Sequence, residues 1–216
     1  MHKDLKKRIY TSIILFLLLY AMAMNNYILG YFLIIIGIYS IIEFFNIISL
    51  IPKIKRVKYF LINFFFITYI FIFCTLFLIL SSYLYLKIVI FIILLTCVAS
   101  DVGGFVFGKF FKGPKLTKIS PKKTISGAIG SIIFSLTLIS TTTYYLTNKF
   151  DLGIFIIGLF VSIGCQLGDL FISFLKRKSS IKDTGKFLPG HGGILDRIDG
   201  MLIGVPIGLL TLLIIS

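Results

Sequence analysis

The residues best suited to chemistry lie between Ser173 and Gly200. This stretch combines basic residues, aspartates, one histidine and a glycine pair: Lys176, Arg177, Lys178, Lys182, Asp183, Lys186, His191, Gly192, Gly193, Asp196, Arg197 and Asp199. Because Asp196 and Asp199 are three residues apart, a helix beginning at Ile194 would place both carboxylates on one face. Such oxygen ligands suit Mg²⁺ shared with phosphates, and lysine or arginine side chains neutralise phosphate charge. The stretch therefore predicts a metal-assisted site for a phosphate-rich ligand.

A basic loop that anchors the chain at lipid headgroups is the simpler interpretation of the same stretch. It explains the lysines, but it leaves three aspartates and the Gly192-Gly193 pair unexplained. Glycines at these positions would let backbone N–H groups approach a ligand closely. We therefore favour the ligand site over the anchor.

Composition indicates the class of protein. Of the 216 residues, 58% are hydrophobic and 14% are charged, which excludes an ordinary soluble domain. We predict an all-α, polytopic integral membrane protein with about seven transmembrane helices. The apolar runs that could cross a bilayer are 10–24, 27–51, 59–81, 84–107, 125–146, 150–172 and 198–215. The first run is short, and a signal peptide is the competing interpretation for it.

The predicted organisation is a single membrane domain over 1–216, with N-terminal helices over about 10–107 and a chemistry-bearing part over about 100–216. Twenty of the 22 lysines and arginines fall in four clusters on one side of a seven-span topology. By the positive-inside rule that side is the cytoplasm, so the N-terminus is expected inside and the site is expected at the cytoplasmic face of the inner (plasma) membrane. The net charge of +14 then reflects contact with anionic lipid, and no nucleic-acid partner is expected.

Polar residues inside the apolar runs are expensive in hydrocarbon and need a reason. Glu43 should face the protein interior or the headgroups, and a structural role is favoured over a salt bridge with the Lys53 cluster or a contact with a lipid head. Asp101 and Asp169 are functional candidates, with a lysine from a neighbouring helix as the structural alternative for Asp101. Gln166 shares a helix face with Asp169, so the two could bond each other or point into a polar cavity.

A second basic segment precedes the fifth apolar run. Ser120 and Pro121 are expected to start a turn, and Thr124 or Ser126 is expected to cap the helix that follows. Together with Lys123, the same residue types can hold phosphate at a helix N-terminus. The segment is therefore a second candidate for contact with a phosphate-rich ligand.

The stretch from Ser173 to Asp199 resembles the signature of the phosphatidate cytidylyltransferases, also called CDP-diglyceride synthetases. The residues that match, at fixed spacing over 27 positions, are Ser173, Lys176, Arg177, Lys182, Asp183, Gly185, Leu188, Pro189, His191, Gly192, Gly193, Ile194, Asp196, Arg197, Ile198 and Asp199. The basic segment resembles that family's Ser-Pro-x-Lys-Thr-x-Glu-Gly motif at Ser120, Pro121, Lys123, Thr124 and Gly127. Two positions depart from the family pattern, because Ser126 and Ile172 stand where the family usually has Glu.

The resemblance implies transfer of a cytidylyl group from CTP to phosphatidate, giving CDP-diacylglycerol and pyrophosphate in phospholipid biosynthesis. The residues implied as metal ligands for one Mg²⁺ ion, or for two cations, are Asp169, Asp196 and Asp199. Lys176, Arg177 and His191 complete the implied catalytic set, with His191 expected to position a phosphate or the loop. The residues implied in binding are Ser120, Lys123, Thr124, Lys182, Gly192, Gly193 and Arg197.

Other functions stay open on the sequence. A CTP-dependent polyprenol kinase would use a similar site on another lipid, and a catalytically weakened relative would serve as a membrane scaffold. A transporter also carries intramembrane carboxylates, but it typically shows internal repeats, which are not evident here. CTP, phosphatidate and membrane lipids are the expected partners, with a homodimer as a further option.

Overall fold

The computed structural model describes residues 17–52, 54–117, 120–121, 123–185 and 192–215. Within these ranges the chain forms seven helices and no β-strand: α1 (residues 17–24), α2 (Asn26–Ser49), α3 (Arg56–Ser81), α4 (Leu84–Phe111), α5 (Ile125–Thr147), α6 (Leu152–Lys178) and α7 (Leu195–Ile215). In this described part, six helices, α2 to α7, are long and apolar enough to cross a membrane. The predicted all-α, polytopic membrane fold is confirmed.

The observed helices follow the predicted apolar runs closely, and the largest difference lies at the end of α6. Helix α6 continues to Lys178, whereas the apolar run ends at residue 172. The last turn of α6 carries Lys176, Arg177 and Lys178, and cations there interact favourably with the helix dipole. These basic residues favour the helical conformation, so α6 extends beyond the end of its apolar run. The predicted first span lies partly outside the described residues, which begin at residue 17.

The exposed surface of α3 is rich in aromatic side chains, as expected of a helix that contacts lipid. Phe60, Phe65 and Phe71 are each exposed over about two thirds of their surface, at 67%, 68% and 68%. Contiguous exposed apolar surface of this kind marks contact with lipid or with another apolar partner. These aromatic side chains are therefore suited to face hydrocarbon.

The chain divides into two compact units, each assembled from two separate stretches. The first unit comprises Met1–Lys87 with Leu175–Ile198, and the second comprises Ile88–Phe174 with Asp199–Ser216. Helices α6 and α7 each contribute residues to both units. The predicted single membrane domain, with its N-terminal and C-terminal parts, stays a prediction.

In the first unit, α2 packs against α3 through small and aromatic residues. The rings of Phe44 and Phe66 are stacked, with their centroids 3.7 Å apart. A Cβ added to Gly37 would lie 3.4 Å from Ile70, so the two helices approach closely at that glycine. This packing presents one buried face of α2, which carries Ser40, Glu43, Phe44 and Ile47, to the interior of the unit.

In the second unit, glycines bring the helices together in two places. Between α4 and α5, a Cβ at Gly103 would collide with Phe134 and with the carbonyl oxygen of Gly130. Between α6 and α7, a Cβ at Gly168 would lie 3.1 Å from the Cα of Gly200. Small residues at helix interfaces allow such approaches in membranes, where apolar burial gives no driving force between helices.

Candidate active site

The basic loop between α4 and α5 folds as a short paired turn. The N–H of Lys123 donates to the carbonyl of Ser120 at 3.0 Å, and an antiparallel bridge joins Lys115 to Thr124. Thr124 is the N-cap of α5, because its Oγ1 accepts a bond from the N–H of Gly127 at 3.1 Å. The predicted turn and the predicted cap are confirmed.

This loop aims Lys123 at α6 within the second unit. The Lys123 ammonium forms an ion pair with Oδ2 of Asp169, and the Ser173 hydroxyl donates to Oδ1 of Asp169 at 3.3 Å. The Lys123 and Asp169 side chains are exposed over 23% and 37% of their surfaces. We call Lys123, Asp169 and Ser173 the Asp169 cluster. It joins the two sequence motifs that the family resemblance rests on.

A second ion pair lies in the first unit, between the end of α6 and the start of α7. Nζ of Lys176 lies 2.6 Å from Oδ1 of Asp196, and the two side chains are only 14% and 9% exposed. Oδ2 of Asp196 accepts bonds from the backbone N–H groups of Thr184 at 2.8 Å and Gly193 at 3.3 Å. We call Lys176, Thr184, Gly193 and Asp196 the Asp196 cluster.

The sequence motif explains the local geometry of the Asp196 cluster. Helix α7 begins at Leu195, one residue after the predicted start, so Asp196 lies in its first turn, where a carboxylate is favoured. Gly192 has a φ of 85°, a left-handed conformation that glycine adopts without strain, and it passes beside Asp196 and Asp183. The glycine pair therefore lets the backbone close around the Asp196 carboxylate.

The other residues predicted for the site fall into three groups. Three basic residues are exposed: Arg177, Lys182 and Arg197. Asp199 is buried, with 9% exposure, and its carboxylate accepts a bond from the N–H of Gly200 at 2.9 Å. His191 lies outside the described residues.

One alternative that the sequence left open, a bond between Gln166 and Asp169, is settled by the contacts. Gln166 and Asp169 take different partners: Nε2 of Gln166 donates to the carbonyl of Ala128 at 3.3 Å, which ties α6 to α5. Ser126, in place of the family's Glu, lies 3.0 Å from the hydroxyl of Thr124, and Ile172 is buried with 2% exposure.

Glu43 is the residue whose importance the sequence underestimated. Its buried carboxylate accepts bonds from Thr184, Ile194 and Leu195. The favoured structural role is thereby confirmed. A carboxylate in an apolar run indicates that hydrogen-bond or ion-pair partners must exist, but nothing in the run identified them.

The acidic residues of the two clusters differ in how well they fit a metal ion. Among the residues that the structure describes, no group of three His, Cys, Asp or Glu side chains could hold a metal by itself. Mg²⁺, however, is usually held by one or two carboxylates together with phosphates and water. Asp169 fits this pattern, since a carboxylate offers about four acceptor sites and the described residues use two of them. Asp196 fits less well, because it already accepts three bonds.

The fold and the two clusters define a polytopic helical membrane protein with lysine–aspartate pairs at its charged loops. A family model described as "Cytidylyltransferase family" matches residues 3–215, nearly the whole chain. This protein therefore belongs to the cytidylyltransferase family, and the resemblance drawn from the two motifs is confirmed.

Curated relatives carry a more specific name. A protein of Rickettsia felis named phosphatidate cytidylyltransferase is 43% identical over 54% of this chain and 56% of its own length. Proteins of the same name from Helicobacter pylori and Mycobacterium leprae are 43% and 40% identical, over 56% and 52% of this chain and 45% and 36% of their own lengths. The chain spans about half the length of the curated relatives it matches, or less.

Proposed function

We propose that this protein transfers the cytidylyl group of CTP to phosphatidate and releases pyrophosphate. A phosphate oxygen of phosphatidate attacks the α-phosphorus of CTP. The bond from that phosphorus to the oxygen bridging the β-phosphate breaks, and the product lipid is CDP-diacylglycerol. Membership of the cytidylyltransferase family and the shared name of the relatives support this reaction.

The structural observation that supports it most is the Lys176–Asp196 pair. The attacking phosphate is already an anion, so the reaction needs charge neutralisation and alignment more than activation of a side chain. The Lys176 ammonium has three donors and, among the described residues, gives one to Asp196, which leaves two for phosphate oxygens. Because two backbone N–H groups fix Asp196, the lysine it holds is fixed as well.

Lys123 is proposed to act in the same way, with Asp169 holding its ammonium. Arg177 and Lys182 are exposed and available to phosphates, and His191 is retained as a positioning residue. We assign Asp169 first as the residue that would hold Mg²⁺, followed by Asp196 and Asp199. When bound, Mg²⁺ would neutralise phosphate charge and polarise the α-phosphate.

The proposed reaction also assigns a side of the membrane. CTP comes from the cytosol, and phosphatidate presents its phosphate at headgroup level. We therefore propose that the basic loops face the cytoplasm, in agreement with the positive-inside rule, and that the membrane is the cell's inner membrane. A homodimer stays a prediction.

The test uses detergent-purified protein, Mg²⁺ and CTP labelled at either the α- or the γ-phosphate. Cytidylyl transfer carries the α-label into the lipid phase with phosphatidate, whereas a kinase would carry the γ-label onto a polyprenol. We expect α-label only, lost in Lys176→Met and kept in the control Lys149→Met, whose lysine is exposed in the loop between α5 and α6. Label from the γ-phosphate, or no label beside an active reference enzyme, would contradict the proposal.

A further inference from the structure

Glu43 lies in the apolar helix α2, outside both motifs, yet it binds the chain near Asp196 directly. Its Oε2 accepts bonds from the Thr184 hydroxyl at 2.7 Å and from the N–H of Leu195 at 2.8 Å, and its Oε1 accepts one from the N–H of Ile194 at 3.0 Å. The residue is only 5% exposed. One buried carboxylate thus satisfies the first free N–H groups of α7 and a hydroxyl from the preceding loop.

The backbone is shaped to fit this carboxylate. A Cβ at Gly185 would lie 2.9 Å from Cδ of Glu43, and a Cβ at Gly193 would lie 2.7 Å from its Oε1. Both distances are too short for any side chain to be added without movement. Two glycines of the signature are therefore needed where the chain wraps around Glu43.

The same residues connect Glu43 to Asp196. Thr184 donates its hydroxyl to Glu43 and its N–H to Asp196. Gly193 lies beside Glu43, as the collision of an added Cβ with the Glu43 carboxylate shows, and it donates its N–H to Asp196. Thr184 thus bonds both carboxylates and Gly193 lies between them, so displacement of either residue from Glu43 also moves a donor of Asp196.

A second bond ties the same loop to α2. The Ser179 hydroxyl, just beyond the end of α6, donates to the carbonyl of Ile47 at 2.7 Å. Ile47 is one helical turn from Glu43 on the buried face of α2. Helix α2 therefore holds the loop near both of its ends.

We propose that Glu43 is a positioning residue for Asp196 and, through it, for Lys176. The effect of Glu43 on cytidylyl transfer rests on the function proposed above. The bonds by which Glu43 fixes the loop before α7 are independent of that function. Glu43 fixes Thr184, Gly193 and the start of α7, and these fix the carboxylate that orients the lysine. An apolar helix outside the motifs thereby sets the geometry of the Asp196 cluster.

Hydrogen exchange measured by mass spectrometry tests directly whether Glu43 stabilises the loop and the start of α7. In Glu43→Gln, one oxygen becomes an NH₂ group that cannot accept a bond from Thr184 or the α7 N–H groups. We expect exchange over 179–185 and 192–198 to accelerate about tenfold to a hundredfold, the range for losing a bond to a charged group. Exchange in α5 should not change. Ser40→Ala is the matched control, since this buried hydroxyl bonds the carbonyl of Ile36 within α2 and no other group in the described part of the chain.

The second readout is kinetic. If Glu43 positions Asp196, Glu43→Gln lowers kcat about tenfold to a hundredfold with little change in the KM for CTP, as expected when catalytic groups are misplaced by about 1 Å. Thr184→Val removes only the hydroxyl bond to Glu43 and serves if Glu43→Gln does not fold. Thr184→Val should accelerate hydrogen exchange over the same segments, but by a smaller factor than Glu43→Gln.

The outcomes separate this inference from the proposed function. Local acceleration of exchange in a protein that transfers no cytidylyl group would support the hold by Glu43 while the proposed function fails. Unchanged exchange in both variants, or acceleration spread equally over α3 and α5, would overturn the positioning role. An unchanged kcat in Glu43→Gln, when the wild type is active, would also overturn the positioning role.

Discussion

Replacing Gly168 by alanine perturbs the closest approach of α6 and α7 in the second unit. The added Cβ would lie 3.0 Å from the carbonyl carbon of Asp199 and 3.1 Å from the Cα of Gly200, and it would also collide with the carbonyl oxygen of Asp199. These atoms belong to the backbone, so no side-chain rotation relieves the overlap. Overpacking of this kind costs about 3 kcal/mol at its upper end. The better helix propensity of alanine offsets about 1 kcal/mol, which leaves about 2 kcal/mol of destabilisation.

Thermal unfolding in detergent measures this effect. For a chain of this size 1 kcal/mol corresponds to about 2–4 °C, so the Tm of Gly168→Ala should fall by about 4–8 °C. Cytidylyl transfer should fall too, because the overlap lies between the residue before Asp169 and the backbone of Asp199. Gly30→Ala is the matched control, since its Cβ would meet only Leu78 at an ordinary 3.6 Å. Equal Tm values for the two variants would refute the close packing of α6 and α7.

The remaining predictions concern the loop and the two departures from the family pattern. Gly193→Ala should lower the Tm and reduce transfer at least tenfold, because its Cβ would displace the buried Glu43 carboxylate and the Thr184 hydroxyl. Wild-type Tm and full activity would contradict this packing. Ile172→Glu should reduce yield and Tm, because an unpaired carboxylate at a site with 2% exposure costs several kcal/mol. Ser126→Glu, at a half-buried position, should be tolerated, and equal stability of these two Glu variants would contradict the burial of Ile172.

Helices α2 to α7 were predictable because each of their apolar runs is long enough to span a bilayer and is bounded by charged or turn-forming residues. The start of α5 illustrates this, since Thr124 precedes the apolar run and caps the helix as predicted. The end of α6 was harder to predict. Hydropathy records where apolar residues stop, whereas the helix continues through Lys176 and its basic neighbours.

The sequence motifs contain the residues of both ion pairs, but the pairing itself was not predictable. The motifs identified Lys176, Asp196, Lys123 and Asp169, yet neither spacing nor residue type indicated which lysine pairs with which aspartate. Glu43 is an extreme case, because its three partners lie 141 to 152 residues away in the chain. Contacts at that separation depend on how helices pack, and a local pattern carries no information about packing.

The most direct test of the account replaces Asp196 by asparagine and measures lipid-borne cytidylyl from α-labelled CTP. The amide places an NH₂ donor against either Lys176 or the N–H groups of Thr184 and Gly193, so in every orientation a donor loses its acceptor. We expect transfer to fall about a hundredfold or more, the range for loss of one preorganised electrostatic group. Asp151→Asn, which alters a carboxylate bonded to the N–H of Gly153, should leave transfer unchanged. Near wild-type transfer by Asp196→Asn would contradict the central role of the Asp196 cluster.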